Sequence, residues 1–389
     1  MEKLLDGVDV EWKALGEVGE FKYGYTAKAK DSGTARFIRI SDISSKGELI
    51  KSEAKYVDIS KDNEKYILQK NDLLMARTGA TYGKTLFFNE DYPAIYAGFL
   101  IKLNFDKNRL NPRYYWHFAQ SNLFWTQAKK LVAGGGQPQF NANVLKVVNI
   151  PIPCPGNPTK SLKIQAEIVR ILDAFTSLTA ELTAELTTRK KQYNYYRDRL
   201  LAFSEEDVEL KSLDELAENL DSIRKPIKKG LREPGKIPYY GASGIVDYVK
   251  DYIFDGDFLL ISEDGANLLA RKTPIAFSIS GKAWVNNHAH VLKFETYAER
   301  RFVEFYLNSI DLTPYISGAA QPKLNKKNLN NIKIPNPLPD KKKRIVAILD
   351  KFETLTNSIS EGLPREIELR QKQYEYYRDL LLSFPESED

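Results

Sequence analysis

The sequence predicts an α+β chain of two tandem mixed α/β domains separated by two long helices that form an antiparallel coiled coil, the whole being pseudo-twofold symmetric. Blocks of sequence recur in the same order in both halves, and internal repeats of this kind dictate the fold before any local reading does. IVRILDAF (Ile168 to Phe175) matches IVAILDKF (Ile345 to Phe352), and QYNYYRD (Gln192 to Asp198) returns as QYEYYRD (Gln373 to Asp379). GGGQPQFNANVLKVVNIPIP (Gly134 to Pro153) resembles SGAAQPKLNKKNLNNIKIPNP (Ser317 to Pro337). In both halves a proline-rich stretch is followed by an apolar seam of near-heptad spacing.

These marks divide the chain into a first mixed domain over 1–158, a central helical spacer over 159–203, a second mixed domain over 204–340 and a C-terminal helical spacer over 341–389. The mixed domains hold short apolar runs, aromatics and turn punctuation such as AGGGQP and YGASG, which suits strands and loops. EWKALGEVGE near residue 11 loosely resembles ELKSLDELAE near 209, and DLLMARTGA near 72 resembles DFLLISEDGA near 257. PIPCPGNP and PNPLPD mark where each mixed domain stops.

In the first spacer apolar residues fall at 164, 168, 171, 175, 178, 182, 186, 193, 196 and 200, with Arg189 filling one seam position. From 168 the steps form a heptad seam with one doubled four, a stutter supplied by the tandem TAELTAEL over 179–186. Leu178, Leu182 and Leu186 are expected to keep the apolar face through it. The second seam runs through 345, 348, 352, 355, 359, 363, 367, 370, 374, 377 and 381 and holds one more four-step. Helices of roughly 40 residues, on the order of 60 Å long, are expected, the second kinked locally by Gly362 and Pro364.

The 389 residues are 42% hydrophobic and 28% charged, with no run of about 18 apolar residues, so a chain with no membrane span and a cytoplasmic location is expected. One cysteine, Cys154, excludes an internal disulfide and a thiolate-rich zinc site. Net charge is +5, which does not by itself select a partner. RTGATYGKT (Arg77 to Thr85) echoes a phosphate loop but has three residues between its glycines where four are needed. The three histidines are His117, His288 and His290; no third ligand is evident near the His288/His290 pair, so a strand or loop role is expected there and no metal. There is no Gly-x-Ser-x-Gly elbow and no Asn-Pro-Pro-aromatic motif of adenine methyltransferases, so no catalytic centre is expected.

What remains is a recognition inventory of Arg, Lys, Asn, Gln and Tyr in loops, the side chains that read base edges and phosphates. In the first half the candidates are Arg77, Thr78, Thr81, Tyr82, Lys84, Gln137, Gln139 and Asn141. In the second they are Asn267, Arg271, Asn287, His288, Gln321, Lys323, Lys326 and Lys327. Candidate spacer and subunit contacts are Leu178, Leu182, Leu186, Tyr193, Tyr196, Arg197, Tyr374, Tyr377 and Arg378. A coiled-coil scaffold with two protein- or carbohydrate-binding domains is the alternative from another class.

AEIVRILDAFTSLTAELTAEL and QYNYYRDRLLAF, their second copies, LLMARTGATYGKT and IPYYGASGIVDYV together carry a family resemblance over essentially the whole chain. The sequence resembles the specificity subunit of type I restriction-modification enzymes, in the branch with TAEL repeats in the central spacer. The resemblance implies two target-recognition domains, each reading one half of a split, asymmetric site on double-stranded DNA. It also implies two methylation subunits docked on the helices, carrying S-adenosylmethionine, and restriction/translocase subunits using ATP and Mg, with no cofactor in this chain. EGLPRE in the second spacer departs from the regular repeat, so the gap between half-sites does not carry over.

Overall fold

The computed structural model describes residues 7–132, 140–204, 208–318, 321–358 and 360–384. They fall into two compact units, Met1–Leu182 with Glu366–Asp389 and Thr183–Arg365. Along the first part of the chain run β1 (Val10–Ala14), α1 (Leu15–Val18), β2 (Gly19–Tyr23), β3 (Ala35–Ile38), β4 (Tyr56–Val57), β5 (Asp72–Ala76), β6 (Thr85–Phe88), β7 (Ala94–Tyr96) and β8 (Leu100–Phe105). Then come α2 (Pro112–Phe118), α3 (Asn122–Val132), α4 (Ala142–Lys146), β9 (Asn149–Pro153) and α5 (Pro158–Leu201). The second part holds β10 (Leu210–Ser212), α6 (Leu213–Leu216), β11 (Glu218–Asn219), β12 (Pro234–Gly241), β13 (Gly244–Val249), β14 (Phe254–Ser262), α7 (Asn267–Ala270), β15 (Ala276–Val285) and β16 (Ala289–Lys293). It closes with α8 (Tyr297–Ser309), α9 (Lys326–Asn330), β17 (Lys333–Pro335), α10 (Pro339–Asn357) and α11 (Gly362–Leu382).

The first unit is built on a four-stranded sheet ordered β2-β8-β5-β6. LLMA in β5 is a continuous apolar run because both faces of that central strand are covered. Leu73 and Met75 join the aromatic cluster of Tyr114, Tyr115, Phe118, Phe124 and Phe140, while Leu74 and Ala76 pack on the opposite side with Leu86, Phe88 and Leu100. β1 pairs antiparallel with the proline-containing β9, whose partners run from Val10–Pro153 to Ala14–Asn149. A three-stranded sheet, β4-β3-β7, is inserted between the sheet's own strands.

The second unit repeats this plan. Its sheet is ordered β11-β16-β14-β15, and β10 pairs with β17 as β1 does with β9. FLLI in β14 is again covered on both faces, with Leu259 and Ile261 in one cluster and Phe258 and Leu260 in another. Here the insertion is a β12–β13 hairpin laid beside β15. The loosely matched segments at 11 and 209, and at 72 and 257, thus occupy equivalent strands.

α5 is a continuous helix of 44 residues, about 65 Å long, opened by Asn157, whose side chain accepts from the Lys160 amide. Its second copy is broken rather than kinked. α10 and α11 are separate helices of 19 and 21 residues, and Gly362 opens the second with φ +71. A Cβ at that position would lie 2.3 Å from the Thr354 carbonyl, so only glycine fits. The seam position 359 lies outside the described residues.

The seam itself takes a different residue from the one expected. Leu178 is 37% exposed whereas Thr179 is 7% exposed, so burial runs through Ile164, Ile168, Leu172 and Thr179, with Leu182 and Leu186 half-buried. The Thr179 hydroxyl donates to the Phe175 carbonyl one turn back at 2.9 Å, which satisfies its polar atom. Thr356, at the same place in the second copy, does the same to Phe352 at 2.7 Å and is fully buried. Each unit contains a stretch of both spacers. In the first, Phe175 of α5 stacks on Tyr377 of α11 with centroids 5.3 Å apart. In the second, Tyr196 stacks on Phe352 of α10 at 5.7 Å, and Phe203 further on meets Lys341 further back, so these segments run antiparallel.

Candidate nucleic-acid interface

In the first unit β5 leads directly into Arg77 and the loop to Lys84. The amides of Tyr82, Gly83 and Lys84 donate to the carbonyls of Gly79, Ala76 and Thr81, so they are spent inside the turn and form no phosphate cradle. Gly83 has φ +77, and a Cβ there would meet the Trp125 ring at 2.8 Å. Tyr82 packs edge-on to Trp125 and against Phe140, which makes it the anchor of the loop rather than an outward reader. Thr78, Thr81 and Lys84 are half-buried, and among the described residues Lys84 makes no ion pair. Asn141 caps α4 by accepting from the amides of Asn143 and Val144, a structural use of its side chain. Gln137 and Gln139 lie outside the described residues.

Arg77 is held in a fixed pose. Its Nε donates to the Gly98 carbonyl at 3.1 Å, and its guanidinium carbon lies 5.2 and 5.3 Å from the Tyr23 and Phe99 ring centroids. Tyr23 is itself fixed, because its hydroxyl accepts from the Ala142 amide. The guanidinium lines a cleft of about 370 Å³ with Tyr25, Arg39 and Phe99. Arg39 is clamped to Asp42 by two hydrogen bonds of 3.1 and 2.7 Å, which holds its pKa above the ordinary arginine value.

In the second unit two of the expected readers are committed internally. The Asn267 side chain bonds the backbone of Thr273 in both directions. Arg271, at φ +50, donates to the carbonyls of Leu307 and Ile310 at the end of α8, and burial lowers its pKa. The other candidates come together on three interlaced loops. The Glu263 amide donates to the His288 carbonyl, the Leu324 amide to the Glu263 carbonyl, and Asp264 forms a β-bridge with Lys323. Asn287, His288, Gln321 and Lys323 are exposed on them, and Lys326 and Lys327 are exposed in the first turn of α9. His288 Nδ1 lies 2.8 Å from Asp264, Lys323 pairs with Glu263 at 3.1 Å, and Lys326 and Lys327 have no ion pair among the described residues.

Beneath these loops lies a charge network that sequence reading missed. His288 lies exposed in the turn before β16, whereas His290 lies inside that strand and is completely buried. His290 Nδ1 lies 2.6 Å from Asp221 and its Nε2 lies 2.7 Å from the Leu324 carbonyl. Arg224 bridges Asp221 at 3.2 Å and Glu263 at 2.6 Å. Burial pushes both carboxyls up, but His290 and Arg224 outweigh it and hold them below their ordinary values. Ligand atoms of Asp221, Glu263 and His290 come within 4.8 Å of one another, yet the guanidinium already supplies the positive charge and both ring nitrogens are engaged. The cluster braces the loops and does not fit a cation.

A second missed feature fixes each mixed domain to its helices. Arg113 of α2 bonds Asp173 of α5 at 2.9 Å, and Arg301 of α8 bonds Asp350 of α10 at 2.8 Å. The signal was present: both aspartates are the Asp of IVxILDxF, and RYYWHFAQS (113–121) matches RFVEFYLNS (301–309) in the position of its arginine. In the first unit His117 joins in, with Nε2 at 2.8 Å from Asp173 and Nδ1 at 3.0 Å from the Tyr374 hydroxyl. Burial lowers the His117 pKa despite Asp173, and it pushes the Tyr374 hydroxyl up to about 12.

The QYxYYRD tyrosines divide by role. Tyr374 and Arg378 are buried, Tyr377 covers Phe175, and in the second unit Tyr193, Tyr196 and the half-buried Arg197 cluster about Phe352. These side chains serve the contact between helices. The middle tyrosine of each motif, Tyr195 at 58% and Tyr376 at 65% exposure, faces solvent instead.

Comparison with known proteins adds the family. The model of the type I restriction modification DNA specificity domain matches residues 7–189 and again 205–369. The chain is 37% identical to the EcoR124I/EcoR124II specificity subunit of Escherichia coli, over 100% of this chain and 98% of that one. It is 35% identical to the EcoprrI specificity subunit of Escherichia coli, over 93% and 92% of the two chains. In fold it is similar to the type I restriction-modification S subunit from M. genitalium, with a TM-score of 0.61, 16% identity and coverage of 98% and 97%.

Proposed function

From the premise that this chain belongs to the family of type I restriction-modification specificity subunits, we propose that its two units read the two halves of a bipartite, asymmetric DNA site. The chain is the DNA-recognition subunit of such a system and is not itself catalytic; methyl transfer and cleavage lie on other subunits. Family membership displaces the scaffold reading. The observation that carries the proposal is that one sheet plan and one Arg–Asp clamp occur twice while the loops on them differ. Arg77, for example, follows β5 at an exposed cleft, whereas its counterpart Glu263, whose amide and carbonyl bond His288 and Leu324 as those of Arg77 bond Phe99 and Phe140, is an acid held by Arg224 and Lys323. Equal scaffolds with unequal loops suit two readers of unequal sequences.

The contacts proposed for the first half-site are Arg77, Thr78, Thr81 and Lys84, with Gln137 and Gln139. Those for the second are Asn287, His288, Gln321, Lys323, Lys326 and Lys327. Two methylation subunits would dock on the helices, one at Tyr195 and one at Tyr376, because identical motif positions present the same exposed ring twice. S-adenosylmethionine would be bound by those subunits, and ATP with Mg by a restriction subunit. No helix among the described residues is long and apolar enough to cross a membrane, which agrees with a cytoplasmic complex on DNA.

Co-expression with the methylation subunit, followed by mapping of methylated adenines across a genome, tests the function. A single bipartite motif with a fixed gap is expected. Scattered or absent modification refutes the reading.

A further inference from the structure

The geometry points to Arg77 as the residue that reads a guanine in the first half-site, through the O6 and N7 acceptors of its major-groove edge. This inference rests on the proposed DNA-reading function and deepens it. An arginine that selects a base must present two N–H groups in a fixed plane, and guanine is the base whose major-groove edge offers two adjacent acceptors. Arg77 meets that requirement before any DNA arrives. The Nε bond to Gly98 fixes one edge of the guanidinium, and the Tyr23 and Phe99 rings flank it at 5.2 and 5.3 Å. Among the described residues Nη1 and Nη2 make no hydrogen bond, so the edge opposite the anchor is left for a ligand. Most of the rotamer entropy of a long side chain is thereby lost in advance.

A phosphate would also accept two such hydrogen bonds, and two features favour the base. The guanidinium is flanked by the exposed aromatic side chains of Tyr23 and Phe99, and the other cation lining the cleft, Arg39, is already paired with Asp42; flat apolar walls suit a base edge better than a hydrated phosphate. A backbone contact would serve both units alike, yet the equivalent residue of the second unit is Glu263, an acid paired with Arg224 and Lys323. A difference between otherwise equivalent strands belongs to what differs between the half-sites. Lys84, on the same loop and without an ion pair among the described residues, is the natural phosphate contact beside it.

The test uses the complex of the full chain with its methylation subunits. Adenine mapping gives the wild-type motif, and binding is then measured on duplexes in which each first-half-site guanine is replaced in turn by 7-deazaguanine, which lacks the N7 acceptor. One such replacement is expected to weaken wild-type binding by roughly 10- to 100-fold. In Arg77→Ala the same replacement should have no further effect and the mapped motif should become degenerate at that one position, while Arg77→Lys, which keeps a donor for N7 but not the planar fork, should show a partial loss. Retention of the second half-site in the variants' motif shows that the chain is folded. Uniform weakening of all duplexes with a shallower salt dependence would overturn the inference in favour of a phosphate contact. So would an unchanged motif, or a first half-site without guanine. A wild-type complex with no bipartite motif would instead overturn the functional reading beneath it.

Discussion

Arg301→Met removes the cation at the centre of the charge network between α8 and α10 in the second unit, leaving the separate Lys342–Glu299 pair at 3.3 Å in place. Arg301 is 8% exposed and bonds Glu304 at 2.7 Å, Asp350 at 2.8 Å and, more closely still, Glu353. At an effective dielectric constant of about 20, each such pair carries on the order of 4 kcal/mol of direct attraction. Asp350 and Glu353 are partly open to water and regain solvation when the arginine is lost, so their share is strongly discounted. Glu304 cannot do so: its side chain is 9% exposed, and burial already pushes its carboxyl up despite the arginine. Breaking a buried pair costs about 3–5 kcal/mol. With one of three carboxylates fully trapped, a loss near the lower end, about 3 kcal/mol, is expected. For a unit of this size that lowers the midpoint of thermal unfolding by roughly 6–12 °C, measured by circular dichroism on the full chain. Adding Glu304→Gln should recover part of the loss, since it removes the stranded charge. A single variant within about 1 kcal/mol of wild type would refute the view that this network ties the domain to its helix.

The remaining predictions concern pH and length. His117 has a folded pKa below its ordinary value of 6.5, so the folded state binds fewer protons than the unfolded one. Its contribution is therefore fully present above about pH 6.5 and falls as pH drops through that value; unfolding measured as a function of pH should show this loss, and His117→Gln should flatten it. If the slope survives in the variant, another group carries it. Deleting residues 179–182 removes one TAEL unit, about 6 Å of helix. Adenine mapping should then show the gap shortened by one or two base pairs with both half-sites kept. An unchanged gap would show that the length of α5 does not set the spacing between the half-sites.

How much of this was legible beforehand depends on the range of the interactions involved. The tandem plan could be read because a duplicated sequence reports its own equivalences, and DLLMARTGA and DFLLISEDGA indeed lie on equivalent central strands. The seam was misread at Leu178 because side-chain hydrophobicity ignores the backbone. Threonine can hide its hydroxyl on the preceding turn, and Thr179 and Thr356 both do. Gly362 was recognised as disruptive, but whether a positive φ breaks or merely bends a helix depends on the contacts around it. Among polar loop residues the sequence does not separate caps from readers: Asn141 and Asn287 look alike in one dimension, and only the former has amides to receive. Arg271 illustrates the same ambiguity, since its carbonyl partners lie 36 and 39 residues away. The clamps pair residues 60 and 49 positions apart, beyond the reach of any local pattern.

Independent reading by two units is the central claim, and one pair of substitutions tests it directly. Asn287 and Gln321 are exposed on neighbouring loops of the second unit, outside its core. In the complex with methylation subunits, Asn287→Ala with Gln321→Ala should relax one side of the mapped bipartite motif while the other side and the gap stay as in wild type. A motif altered on both sides, or on neither, would contradict the account.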